Sequence, residues 1–65
     1  MIVLFEDNHL IVLVKPVGAS SEETQDQTCV PAMLREQWGS ESAYVGVVHR
    51  LDTGVGGVMV YAKTP

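Results

Sequence analysis

Apolar residues along this chain gather into short, β-branched runs separated by polar turns. Ile2-Val3-Leu4-Phe5 and Leu10-Ile11-Val12-Leu13-Val14 are too short for helices, and the intervening Glu6-Asp7-Asn8-His9 supplies turn chemistry, which together predict a β-hairpin. The second run is apolar at every position, the pattern of a strand covered on both faces and not of an exposed edge. Lys15-Pro16-Val17-Gly18 ends it, because proline lacks the ladder donor and glycine permits the positive φ that a sharp change of direction needs.

From Ala19 to Thr28 the chain is Ser, Glu, Thr, Gln and Asp with almost nothing to bury, which predicts a mobile surface loop with its acidic residues, Glu22 to Asp26, in solvent. A short helix is expected over Val30 to Trp38. Pro31 suits a first turn, Val30, Met33, Leu34 and Trp38 fall near one face as core, Gly39 suits the C-terminal cap, and Thr28 is the expected N-cap. Ser40 to Ala43 reads as linker, and Tyr44 to Val48 and Val58 to Ala62 as two further strands. Lys63-Thr64-Pro65 has the form of a helix start, a threonine cap followed by proline, so the chain reads as stopping at an element boundary.

Composition narrows the setting. The chain has 65 residues, 46% of them apolar, which fits a packed domain and not a disordered tail. A single core below about 70 to 80 residues rarely supplies more than roughly 3 to 5 kcal/mol without a staple or a partner. Cys29 is the one cysteine, so no intrachain disulfide forms, and it reads as a small buried residue; His9 and His49 lie too far apart in sequence to suggest a metal cluster. The expectation is therefore self-association through unpaired strand edges, or membership of a longer protein. No signal peptide and no membrane-spanning run are read, and a cytoplasmic setting is expected. The net charge of −4 argues against gripping nucleic acid by counterion release alone.

The chemistry concentrates in His49-Arg50-Leu51-Asp52-Thr53-Gly54-Val55-Gly56-Gly57. Position alone makes Asp52 a turn former. Cut as Asp52-Thr53-Gly54, the stretch is the triplet of aspartic proteases, where two aspartates share a proton. Three features oppose that cut: the triplet is short enough to recur by chance, the Arg50 cation two residues earlier favours an ionised carboxylate over a shared proton, and the chain lacks room for the remaining strands and flap.

Cut as His49-Arg50-Leu51-Asp52 and read on to Ala62-Lys63, the segment resembles the central signature of the RluA-like RNA pseudouridine synthases, which runs His-Arg-Leu-Asp, two variable residues, Thr-Ser-Gly, an apolar run and Ala-Lys. Phe5 to Gly18, with its acidic turn, apolar strand and Lys15-Pro16, looks like the same family's first motif. Val14 stands where the family often has Asn, and Val55 and Gly56 where it commonly has Thr-Ser, while Gly57 keeps the motif glycine.

The resemblance implies isomerisation of uridine to pseudouridine in structured ribosomal or transfer RNA. By it, Asp52 is the catalytic carboxylate, and Arg50 enters the space that the flipped uridine vacates and helps to position the aspartate. His49 and Leu51 match as packing that fixes the loop, and Lys15 and Pro16 as structural or loop-positioning residues. No metal or organic cofactor and no membrane is implied. The expected fold is mixed α/β, of α+β type, a mainly antiparallel sheet with one short helix. Residues 1 to 65 would form the N-terminal part of a catalytic domain whose later strands, bearing a tyrosine and a basic residue, complete the site; the segment alone is expected to be inactive. The alternative from another class is a non-catalytic binding or assembly module in which Asp52 is vestigial.

Overall fold

The apolar runs pair as one sheet. The computed structural model describes residues 1–25 and 28–65 and contains strands β1 (Ile2–Glu6), β2 (Leu10–Lys15), β3 (Gly46–Val47) and β4 (Gly57–Ala62) and helix α1 (Val30–Trp38). The sheet is antiparallel throughout, in the order β1-β2-β4-β3. The β1–β2 hairpin closes on Asp7, whose carboxylate accepts the backbone N–H groups of His9 and Leu10 at 2.7 and 2.9 Å. Those two bonds favour the ionised form and hold the Asp7 carboxyl below its ordinary value. Between Val3 and Phe5 the register slips by a bulge.

Alternation along β2 and β4 decides which face is the core. Ile11 and Leu13 on β2 and Met59 and Tyr61 on β4 are buried, and Val30 and Leu34 of α1 join them with Ala19 in one apolar cluster, against which Val3, Met33, Trp38, Val45 and Leu51 pack. The other face carries two apolar rows across three strands, Ile2–Val14–Val58 and Phe5–Val12–Val60. Ile2, Phe5 and Val58 are exposed and Val12 and Val14 half-buried, so the expectation that β2 is covered on both faces is corrected: α1 covers one face only. β2 is nevertheless an interior strand, paired on both sides, as its composition requires.

Helix α1 has the expected span and a different N-cap. Cys29, not Thr28, takes that position, with extended backbone and no capping side chain. The reason lies in the preceding segment, where Ser20 forms a parallel bridge with Cys29: Ser20 N–H donates to the Thr28 carbonyl at 3.0 Å, and Val30 N–H to the Ser20 carbonyl at 2.9 Å. A backbone carbonyl thus serves the first free N–H of the helix, and Pro31 brings none of its own. The C-terminus closes as a Schellman motif, with Gly39 left-handed at φ 69° and the N–H groups of Gly39 and Ser40 donating to Glu36 and Arg35 carbonyls.

Two further expectations change. The stretch from Ala19 begins inside the protein: Ala19 and Ser21 are buried, so it is no simple surface loop at its start. Its middle is tied to the helix, because Arg35 donates to both oxygens of Glu23 at 2.7 and 2.8 Å and through Nε to the Ala43 carbonyl at 2.9 Å. Asp26 and Gln27, also assigned to that loop, lie outside the described residues. The strand expected over Tyr44 to Val48 shrinks to Gly46–Val47, after which the chain leaves the sheet to form the loop that carries Asp52.

Candidate active site

The Asp52 loop runs from the end of β3 to the start of β4 and is anchored at successive residues. His49 Nε2 accepts the backbone N–H of Val60 on β4 at 3.0 Å. Leu51 is half-buried against the core, and both its backbone polar groups meet one hydroxyl: Ser21 Oγ donates to the Leu51 carbonyl at 2.6 Å and accepts the Leu51 N–H at 2.9 Å. On the far side of Asp52, the Thr53 carbonyl accepts Gly18 N–H at 2.8 Å and Lys15 Nζ at 3.3 Å. Asp52 itself closes a tight turn, its carbonyl accepting Val55 N–H at 2.9 Å. Its side chain lies in an exposed residue between two fixed neighbours.

Lys15 explains how the first motif reaches the second. Its side chain is 1% exposed, and Nζ, which has three protons to donate, meets three carbonyls: Ala19 at 2.7 Å, Pro16 at 3.1 Å and Thr53 at 3.3 Å. The first two hold the turn after β2 and the third holds the loop after Asp52. Pro16 makes that turn by ending the ladder, and Gly18 completes it at φ 95°, where a side chain is strained. Lys15 is an anchor of the loop's backbone, its ammonium directed to these three carbonyls.

The glycines after Asp52 let strand and loop approach closely. A Cβ on Gly57 would sit 3.2 Å from Leu51 Cδ1, and one on Gly56 would sit 3.1 Å from the Lys15 carbonyl oxygen. Arg50 is on the surface, 68% exposed, with Nη1 3.9 Å from a Glu22 carboxylate oxygen. The motif residues His49, Arg50, Leu51, Asp52, Lys15, Pro16 and Gly57 are thereby brought into one region, with Asp52 and Arg50 exposed and His49, Leu51 and Lys15 tying the loop to the fold.

Ser21 and Tyr61 were missed in the sequence. The Tyr61 hydroxyl, buried on β4, donates to the Ser21 carbonyl at 2.7 Å, and burial pushes this phenol up to about 12, with Cys29 adding to the rise. Ser21 sits in a run of polar residues and carries no pattern that separates it from a solvated serine. Among the described residues no group of three or more His, Cys, Asp or Glu side chains is placed to hold a metal ion, and no helix is long and apolar enough to cross a membrane.

The same segments carry a family match. The chain belongs to the RNA pseudouridylate synthase family, whose pattern it matches over residues 9–65, from the end of the hairpin turn onward. It is 40% identical over 65 residues to an uncharacterized RNA pseudouridine synthase of Bacillus subtilis, covering 94% of this chain and 22% of that protein. It is also 42% identical over 66 residues to the ribosomal large subunit pseudouridine synthase D of Xanthomonas campestris, covering 95% of this chain and 20% of the relative, and 39% identical over 70 residues to the protein of that name from Zymomonas mobilis, covering 95% and 22%. The chain spans about a fifth of the length of these relatives. The family match runs straight through Asp52-Thr53-Gly54, which sets the protease reading aside.

Proposed function

We propose that this segment supplies the catalytic aspartate of an RNA pseudouridine synthase, and that the whole protein isomerises uridine in structured RNA, ribosomal large-subunit RNA being the first substrate to test. The observation that carries the reading is the mounting of Asp52, an exposed carboxylate whose two neighbours in the chain are hydrogen-bonded to separate parts of the fold. The choice of ribosomal RNA follows the names of the relatives.

The reaction breaks the bond from ribose C1′ to uracil N1, turns the base, and forms the bond from C1′ to C5. C5 gives up its proton and N1 gains one, so product and substrate are isomers. A carboxylate beside C1′ serves as nucleophile toward the anomeric carbon or as base toward the sugar, and either role requires its oxygen within reach of a flipped nucleotide. Arg50, outward-facing and two residues from Asp52, suits the space the base vacates, because a guanidinium is planar, permanently charged and able to stack. His49, Leu51, Lys15, Pro16 and Gly57 hold the loop.

Residues 1–65 alone do not complete the reaction in this reading. Their net charge is −4 and they amount to about a fifth of the relatives' length, so other regions of the protein supply the RNA-binding surface. A second reading, an assembly module, is favoured by one observation: the apolar rows Ile2–Val14–Val58 and Phe5–Val12–Val60 form an exposed sheet face, and β1 and β3 are open edges through which copies of the segment would pair.

The test is to incubate the full-length protein and its Asp52→Asn variant with ribosomal large-subunit RNA and, separately, transfer RNA, and to map pseudouridine. Product with the wild type and none with the variant is the expected result. Equal yields from the two would refute the assignment of Asp52, and an inactive wild type that forms stable assemblies would favour the second reading.

A further inference from the structure

We infer that Ser21 is a positioning residue for the reaction, setting the direction in which Asp52 leaves the loop; this rests on the reading of Asp52 as the catalytic carboxylate. The bonds between Ser21 Oγ and Leu51 span 30 positions of sequence, so they record the tertiary fold and not a local turn. One oxygen there both donates and accepts, a capacity that a hydroxyl has and an alkyl side chain lacks. By holding the N–H and the C=O of Leu51 together, it fixes the peptide plane that leads into Asp52.

Ser21 is itself immobilised from two directions. The buried Tyr61 hydroxyl holds its carbonyl at 2.7 Å, and its neighbour Ser20 is bridged to the start of α1. The result is a chain of contacts from a core residue of β4, through Ser21, to the backbone before Asp52. Its counterpart after Asp52 is the pair of bonds from Lys15 and Gly18 to Thr53. Without the Ser21 hydroxyl, the upstream end of the loop keeps Leu51 packing but loses the two bonds that set its rotation.

Such a residue acts on the chemical step and not on RNA affinity. A misplacement of about 1 Å at a reacting group costs on the order of 10²-fold in rate. For full-length protein acting on a ribosomal large-subunit RNA transcript, the expected result for Ser21→Ala is a kcat lower by about 10- to 100-fold with KM within about twofold, and for Ser21→Thr, which keeps the hydroxyl, a kcat within about threefold of wild type. Hydrogen exchange of the Leu51 amide, read whether or not the protein turns over RNA, is expected to quicken by about tenfold or more in the Ala variant and to stay slow in the Thr variant.

A Ser21→Ala protein with unchanged kcat and a protected Leu51 amide, alongside an inactive Asp52→Asn protein, would overturn the inference and leave the proposed function standing. So would equal losses in the Ala and Thr variants, which would trace the effect to volume and not to the hydroxyl. An active Asp52→Asn protein would instead remove the proposed function itself.

Discussion

His49 Nε2 accepts the backbone N–H of Val60 at 3.0 Å, in the place that Val48 would fill had β3 continued one pair beyond Val47–Tyr61. A side chain thereby takes over from a strand, which lets the backbone depart toward Asp52 while β4 keeps its partner. The bond uses the lone pair of Nε2, which accepts here as a strand carbonyl would. His49→Ala is expected to cost about 0.5 to 1.5 kcal/mol, the net value of one hydrogen bond at a site water can reach. Hydrogen exchange by mass spectrometry on a peptide containing Val60 checks it: faster exchange than wild type is expected, and no change would mean that Val60 is protected by other means.

Tyr61 gives the fold an alkaline limit. Its phenol is pushed up from 10.0 to about 12, chiefly by burial. Below pH 10 it is neutral in folded and unfolded chains alike. Between about 10 and 12 the unfolded chain releases a proton that the folded one retains, so stability falls as pH rises through that window, by at most about 3 kcal/mol. Urea denaturation at pH 8 and pH 11 should show this loss, and Tyr61→Phe should flatten it while lowering stability at pH 8 by about 1 to 2 kcal/mol through the lost bond to Ser21. The same alkaline slope in both proteins would point to another group.

The order of elements was legible because strand pairing and helix packing follow from apolar periodicity. Ile11, Leu13, Met59 and Tyr61 alternate with outward residues, and Val30, Leu34 and Trp38 return at helical spacing. The site was legible in part, as a string of motif residues. What periodicity does not carry is the identity of groups that bond across the fold. Ser21 is buried because its backbone follows the Lys15–Gly18 turn under the Asp52 loop, a consequence of tertiary placement that a polar run conceals. The N-cap moved from Thr28 to Cys29 for a similar reason, since the bridge to Ser20 outweighed a local capping preference. The uniformly apolar β2 gave interior position correctly but not its exposed second face, because the sequence of one strand does not say how many layers cover it.

Gly46 is expected to tolerate no side chain. It is buried at the sheet edge, and a Cβ there would lie 2.9 Å from Ala62 Cβ and 2.9 Å from ring and hydroxyl atoms of Tyr44. Tyr44 can rotate away, being half exposed, but Ala62 is fixed by β4. Gly46→Ala should therefore cost about 1 to 3 kcal/mol by overpacking, whereas Gly54→Ala, with nothing within 4 Å, should cost little. Denaturant midpoints of the two variants should differ in that order, and equal midpoints would show that the β3 edge yields to the added methyl.

Arg50 and Glu22 supply a test of RNA engagement. Their closest atoms are 3.9 Å apart and both side chains are more than half exposed, so the pair contributes little to stability. Its consequence lies in binding. If Arg50 meets RNA as proposed, Glu22 competes with the nucleic acid for the guanidinium and also places a negative charge beside the phosphates. Glu22→Gln in the full-length protein should tighten binding to ribosomal RNA by about two- to fivefold at low salt, the scale of a surface ion pair, and the gain should fade as salt screens both partners. In an Arg50→Ala background the Glu22 substitution should lose most of that effect, because the two residues act on one contact. A gain of the same size with and without Arg50 would assign it to general charge and would remove Arg50 from the RNA interface.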